Sequence, residues 1–169
     1  MANYKNIIYA FTCLSFAIVI GGAVYEHTAV APLWSAAPPK SLAMFQGEFG
    51  LKADRFWKMI HPITLLLFIA TLIAFWKSVR RKNILVALVG YVAILAVTTV
   101  YFVPELLSII ESPYSDQPDA GLTARAQMWV TLSLVRLAVL VFLSVSLFLG
   151  LAKPVNLSLD EARVSPEYS

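Results

Sequence analysis

Two long apolar runs joined by a short basic stretch decide the fold of this chain. They read WKMIHPITLLLFIATLIAFW at residues 57–76, KSVRRK at 77–82 and ILVALVGYVAILAVTTVYFVPELLSI at 84–109. An α-helix rises about 1.5 Å per residue, so about 20 apolar residues cross the roughly 30 Å hydrocarbon core of a bilayer. The stretch therefore predicts two antiparallel transmembrane helices joined by a tight basic loop.

Two further apolar runs, at residues 6–29 and 126–151, are also long enough to cross a bilayer. Apolar residues make up 59% of the chain and charged residues 14%, compared with about 25% charged residues in typical soluble domains. We therefore predict an all-α fold, a four-helix antiparallel transmembrane bundle over residues 1–152, followed by a polar cytoplasmic tail at 153–169. The first run exceeds the apolar core of a secretory signal peptide, so we expect it to remain as the first helix.

The positive charges predict how the bundle is oriented. Four cations lie in the short second connection, Lys77, Arg80, Arg81 and Lys82. Such clusters mark cytoplasmic loops, so both termini are expected in the cytoplasm and the two longer connections outside. No targeting signal suggests another compartment, which makes a bacterial inner membrane the expected location. Because the cations lie at the ends of apolar segments, they argue against nucleic-acid binding.

Small and polar residues recur within the apolar runs at spacings of three, four and seven, the pattern of one helix face in a left-handed bundle. Polar side chains in membrane helices face the protein interior, so the four faces predict one shared polar interior. The ionisable members lie toward the outer ends, which predicts a cavity open to the outer side above a floor without buried charge. The four faces comprise Thr12, Ser15, Gly22 and Glu26; Trp57, His61, Thr64, Phe68 and Thr71; Tyr91, Thr98, Tyr101 and Glu105; and Trp129, Ser133 and Arg136.

Arg136 is the most informative of these residues. A guanidinium near the middle of a bilayer costs about 2.5–3.5 kcal/mol on insertion scales, so it requires a partner or a wet cavity. Glu26 and Glu105 are the carboxylates expected at neighbouring depth. Arg136 is therefore one half of a structural ion pair, the group that holds an anionic part of a substrate or an oxyanion, or a side chain that reaches the interface by snorkelling.

The two histidines, His27 and His61, lie toward the same side of the predicted membrane. Together with Glu26 they would resemble a set of two His and one carboxylate for a metal ion, and alternatively both could ligate a haem iron. His61 alone could instead act as a general base, with His27 reaching the headgroups. Tyr101 and Trp129 are expected to wall the cavity around a cofactor or substrate.

Several short elements in order along the chain resemble the anthrone-oxygenase-like family of small four-helix membrane proteins. The resemblance implies oxidation of a small aromatic or quinone-like molecule at the polar end of the bundle, and it supplies no established catalytic residues. The chain departs from the family pattern at Pro104-Glu105, where the family has an Asn soon after the Pro. The elements are Gly22 and Glu26 followed by Pro32-Leu33, Thr98-Thr99 with Val103-Pro104, and Trp129 with Arg136.

These observations lead to two hypotheses of function. The first is a small membrane oxidoreductase or oxygenase-like enzyme acting on a lipophilic, aromatic or quinone-like molecule. In it His61 is the base or ligand, Glu26 and Glu105 are the carboxylates, and Arg136 stabilises an anion. The second is a non-catalytic protein that binds a lipid or quinone, or an accessory subunit of a membrane complex. Membrane lipids and a lipophilic small molecule are the expected partners, with homo-oligomers left open.

Overall fold

The structure, a computed structural model, describes residues 4–154 and is built there from four long helices. We number them α1 (Tyr4–Trp34), α2 (Ala53–Ala74), α3 (Arg81–Ile110) and α4 (Ala120–Ala152). All four are long and apolar enough to cross a membrane, and the described residues form no β-strand. The predicted all-α fold is therefore confirmed. Most of the predicted polar tail, residues 155–169, lies outside the described residues.

The helices extend beyond most of the boundaries predicted from the apolar runs. α4 begins at Ala120, six residues before the predicted span, because Asp119 caps it: its carboxylate accepts a 2.6 Å hydrogen bond from the Leu122 N–H. Hydrophobicity marks the part of a helix that lies in hydrocarbon, whereas caps decide where the helix begins. The sequence pattern therefore located the spans better than the helix ends.

The four helices form a ring in which α1 packs against α2 and α4, and α3 packs against the same two neighbours. The connections between successive helices alternate between the two ends of the bundle. The long-loop end carries the connections 35–52 and 111–119, and the short-loop end carries the connection 75–80. This arrangement brings all four inward faces to one interior.

Buried hydroxyl groups on α1 and α2 form hydrogen bonds between the two helices. Thr12 and Thr71 share a 2.6 Å hydrogen bond between their hydroxyls, and Ser15 and Thr64 share one of 2.7 Å. All four side chains are buried. Interhelical hydrogen bonds in membranes are worth about 0.6 kcal/mol on average, so these pairs fix the register of the two helices more than they stabilise them.

Arg80 closes the short-loop end. It is only 4% exposed, and its Nε donates a 2.8 Å hydrogen bond to the backbone carbonyl of Lys153 while Nη1 donates one of 2.8 Å to Asn6 Oδ1. Its guanidinium also lies 5.3 Å from the centre of the Phe75 ring, within cation–π distance. The predicted floor without buried charge is wrong at this end, because one of the cations assigned to orientation is folded into the bundle.

Two helices contain a π-helical turn near the long-loop end. These turns are Glu26–Val30 in α1 and Thr98–Phe102 in α3, and each lies just before a proline, Pro32 and Pro104. A π turn holds one more residue than an α turn, so the residues after it are rotated by about 100° relative to an uninterrupted α-helix. Proline is a common cause of such local openings, because it cannot donate the backbone hydrogen bond of an α-helix, whereas Pro62 lies inside a regular helix.

Arg80→Gln is expected to lower the free energy of unfolding by about 1.5–3 kcal/mol, because charged hydrogen bonds to a buried carbonyl are lost. Thermal unfolding in mild detergent measures the change. The exposed Lys77 of the same connection provides the control, Lys77→Gln. Equal unfolding temperatures for the two variants would contradict the role assigned to Arg80.

Candidate functional site

Polar side chains from all four helices converge in the half of the bundle nearer the long-loop end. Tyr91 and Ser133 are buried and the others are half-buried. We call this set the polar cluster, and it comprises Glu26, Trp57, His61, Tyr91, Thr98, Ser133 and Arg136.

Arg136 is held by hydroxyl groups and an aromatic face. Its Nη1 donates a 3.0 Å hydrogen bond to Thr98 Oγ1 and its Nη2 donates one of 2.8 Å to Ser133 Oγ. The guanidinium lies 4.3 Å from the centre of the Phe102 ring, a cation–π contact made stronger by exclusion of water. The residue is thus satisfied without a carboxylate in direct contact, in contrast to the ion pair considered from the sequence.

Glu26 is the carboxylate whose charge interacts with that of Arg136. Glu26 is the first residue of the π turn of α1 and is half-buried. Its carboxylate interacts electrostatically with Arg136 and with the Trp57 indole. The ion pairs shorter than 4 Å among the described residues are Lys58–Asp54 and Arg125–Glu105. Glu26 and Arg136 therefore attract each other without direct contact. Glu26 is therefore not held in a direct ion pair with Arg136, and the Trp57 indole is its hydrogen-bonding neighbour.

His61 forms a short hydrogen bond with a phenol. Its Nδ1 lies 2.6 Å from the Tyr91 hydroxyl, and its ring stacks on Trp57 at 5.3 Å between centres and 18° between planes. The stack fixes the orientation of the imidazole, and the hydrogen bond links two groups that can each give or accept a proton. This arrangement suits acid–base work, as predicted for His61, with Tyr91 as a partner that the sequence placed inward without a role.

His27 does not join His61 in an evident ligand set. Its Nδ1 donates a 2.8 Å hydrogen bond to the Ala23 carbonyl, and its buried Nε2 has no hydrogen-bond partner among the described residues. In residues 4–154, no three His, Cys, Asp or Glu side chains lie close enough together to hold a metal ion. The structure thus does not assemble His27, His61 and Glu26 as a metal site, and the haem stays a prediction.

Glu105 lies away from the polar cluster. Its carboxylate accepts a 2.8 Å hydrogen bond from Arg125 Nε, and both side chains are partly exposed. The π turn Thr98–Phe102 explains this position, since it rotates every later residue of α3 by about one position. The expectation that Glu105 would pair with Arg136 assumed an uninterrupted α-helix.

The same π turn affects which of two neighbouring aromatic residues, Tyr101 or Phe102, faces the interior. Tyr101, expected to wall the cavity, is 41% exposed, whereas Phe102 is buried and meets Arg136. Sequence reasoning missed Phe102 because heptad spacing from Thr98 pointed to Tyr101. Pro104 was the available signal, since it cannot continue the α-helical hydrogen-bond pattern.

Trp129 belongs to a tightly packed cluster above the polar cluster. Its Nε1 donates a 2.9 Å hydrogen bond to the Phe102 carbonyl, and its ring meets Trp34 and Phe102 edge to face at 5.6 and 5.7 Å. Trp129 lies 6.0 Å from the Arg136 guanidinium, on the side of the long loops, and its role as a wall of a ligand cavity stays a prediction. We call this cluster the aromatic cap; its buried members are Val30, Ala31, Trp34, Leu42, Phe102, Ile109, Ala126 and Trp129.

A groove of about 470 Å³ runs between α1 and α2 and reaches the polar cluster at Glu26 and Trp57. Glu26 and Tyr25 are the ionisable residues of the groove, and its other walls are apolar or glycine. The sequence led us to expect a cavity open to the outer side, and the groove reaches the long connection 35–52 at Leu51. A larger hollow of about 630 Å³ lies among the loops around Pro118 and does not reach the polar cluster. The residues lining the groove are Ile18, Gly21, Gly22, Tyr25, Glu26, Val30, Leu51, Ala53, Phe56 and Trp57.

Comparisons of the chain with protein-family models, with curated proteins and with solved structures found no match. The resemblance to the anthrone-oxygenase-like family therefore stays a prediction.

Arg136→Lys is expected to lower the free energy of unfolding by about 1–3 kcal/mol, because a lysine keeps the charge but cannot bridge Thr98 and Ser133 as a fork. Thermal unfolding in mild detergent measures the loss. The partly exposed Arg125 provides the control, and Arg125→Lys should change stability by less than about 1 kcal/mol. A loss as large at Arg125 as at Arg136 would refute this account of the polar cluster.

Proposed function

We propose that this integral membrane protein binds a lipophilic molecule with an oxygen-bearing aromatic head group, such as a phenol or a quinone. The observation that carries the proposal is the groove between α1 and α2, which is apolar along its length and reaches a carboxyl group at Glu26. Binding sites for small molecules are typically apolar hollows with a few well-placed polar groups. The tail would lie in the groove and the head group would meet Glu26 and Trp57.

Charge placement supports a ligand-binding role over a purely structural one. Arg136 and Glu26 are both costly to place in a membrane, and they stand close enough to attract without forming a direct pair. A purely structural clamp would gain most from direct contact between the two groups. The gap fits a head group that interacts with both residues.

A second candidate, the oxidoreductase or oxygenase-like enzyme, uses the same site and is favoured by the hydrogen bond between His61 and Tyr91. His61 would take the proton of a phenolic hydroxyl, directly or through Tyr91. Arg136 would stabilise the negative charge that develops on the oxygen. Oxidation of a quinol to the quinone would pass two electrons and two protons to dioxygen, which would be reduced to hydrogen peroxide, so the protein's own contribution would be proton transfer and anion stabilisation.

The proposed location is a bacterial inner membrane with both termini in the cytoplasm. The cluster of cations at Lys77, Arg81 and Lys82 beside the short-loop end supports this orientation. The groove would then lie in the outer leaflet. A ligand dissolved in that leaflet would meet the protein at the depth of Glu26.

Binding of a short-chain ubiquinone analogue to the purified protein in detergent tests the proposal. Quenching of tryptophan fluorescence reports the binding, since Trp57 lines the groove. Arg136→Gln and Glu26→Gln are expected to weaken binding about tenfold or more, as for the loss of a charged hydrogen bond. Glu105→Gln removes a carboxylate outside the cluster and should leave binding unchanged.

The binding and oxidation measurements together separate the two candidate functions or reject both. Equal binding by the wild type, Arg136→Gln and Glu105→Gln would reject a specific site at the polar cluster. If His61→Ala binds the analogue normally but no longer supports oxidation of its reduced form, the enzyme is favoured. A binding protein would show no such oxidation in the wild type.

A further inference from the structure

The aromatic cap separates the polar cluster from the long-loop end. Trp34 is 1% exposed, Leu42 0% and Trp129 3%, so the cap has no gap to the loops at these positions. Phe102, a member of the cap, lies directly against the Arg136 guanidinium. A ligand approaching along the bundle axis from the loops would have to displace this packing.

The bundle is equally closed on the other side of the polar cluster. Phe16, Phe68 and Tyr91 are fully buried and contact one another, with ring centres 5.1–5.9 Å apart. The hydroxyl pair of Thr12 and Thr71 lies between these rings and the short-loop end, which Arg80 closes. An approach through the helix interior from that end is therefore blocked as well.

Two adjacent glycines line the open groove between α1 and α2. A Cβ atom added to Gly21 would meet no atom within 4 Å, so this position faces the empty groove. A Cβ atom added to Gly22 would lie 2.6 Å from the Phe56 ring, so the missing side chain lets Phe56 and Trp57 approach α1 closely. Gly21 thus sets the free width of the groove, and Gly22 sets the position of its aromatic wall.

We propose that the ligand enters the polar cluster sideways from the bilayer, through a portal at Gly21 and Gly22. This inference rests on the proposed function. The ligand is a molecule with one slender apolar tail and an oxygen-bearing aromatic head. The tail fits along the Ile18 side of the groove, and the head meets the aromatic rings of Tyr25 and Phe56 before it reaches Glu26.

Filling the portal tests this route. Gly21→Phe places a ring in the groove without a clash at its Cβ, and it should slow the association of decylubiquinone in lipid nanodiscs at least tenfold. Leu14→Phe is the matched control, because Leu14 lies seven residues earlier on α1, is exposed and does not line the groove. Gly22→Ala should slow association less, by displacing the Phe56 ring.

The outcomes distinguish the portal from the site. If Gly21→Phe binds like the wild type while Arg136→Gln does not, the sideways portal is refuted and the proposed function stands. If all variants bind like the wild type, both are refuted. Slower association with Gly21→Phe but not with Leu14→Phe supports the portal, whereas a lower affinity at an unchanged association rate would refute it and leave Gly21 as part of the binding site.

A chemical probe covers the case in which Gly21→Phe does not fold. Cys13 is the single cysteine of the chain and is buried, so Gly21→Cys in a Cys13→Ala background gives one thiol in the groove. In nanodiscs this thiol should react at least tenfold faster with an uncharged lipophilic maleimide than with a charged, water-soluble one. The lipophilic adduct should also lose ligand binding. Equal reaction rates would show that the groove opens to water and would overturn the proposal.

Discussion

A cation inside a membrane must be compensated by its surroundings, and the compensation of Arg136 organises the upper half of this bundle. Hydroxyls from two different helices accept its hydrogen bonds, and the Phe102 ring covers one face. This arrangement requires α3 to present both Thr98 and Phe102 toward α4, which the π turn achieves. These groups are uncharged, so Arg136 is held without a direct ion pair to Glu26. The Glu26 carboxylate remains at the end of the groove.

The spans and inward faces could be predicted from the sequence because apolar length and polar periodicity act locally along each helix. Thr12, Ser15, Thr64, Thr71 and Ser133 are all buried as their spacing indicated. Periodicity fails where the helix itself changes: one extra residue in a π turn moved Glu105 and Tyr101 off the inward face. An inserted turn of this kind leaves only a nearby proline as its signal.

Two other features were beyond the reach of sequence patterns for a different reason. The groove depends on atoms that are missing at Gly21 and Gly22, and a glycine pair in a membrane helix more commonly indicates close helix packing. Arg80 belongs to a cation cluster whose members look alike in sequence, yet it alone of the four is buried in the structure. Which cation folds inward depends on a carbonyl acceptor 73 residues away.

That distant acceptor has a consequence for biosynthesis. Arg80 enters the membrane region with α2 and α3, but the carbonyl of Lys153 that it requires becomes available only after α4 has been made and inserted. Until then a three-helix intermediate carries a guanidinium with Asn6 as its remaining side-chain acceptor. The last helix thus completes a contact among three distant parts of the chain, so a chain truncated before Lys153 would lack one of the acceptors that hold Arg80 in the folded bundle.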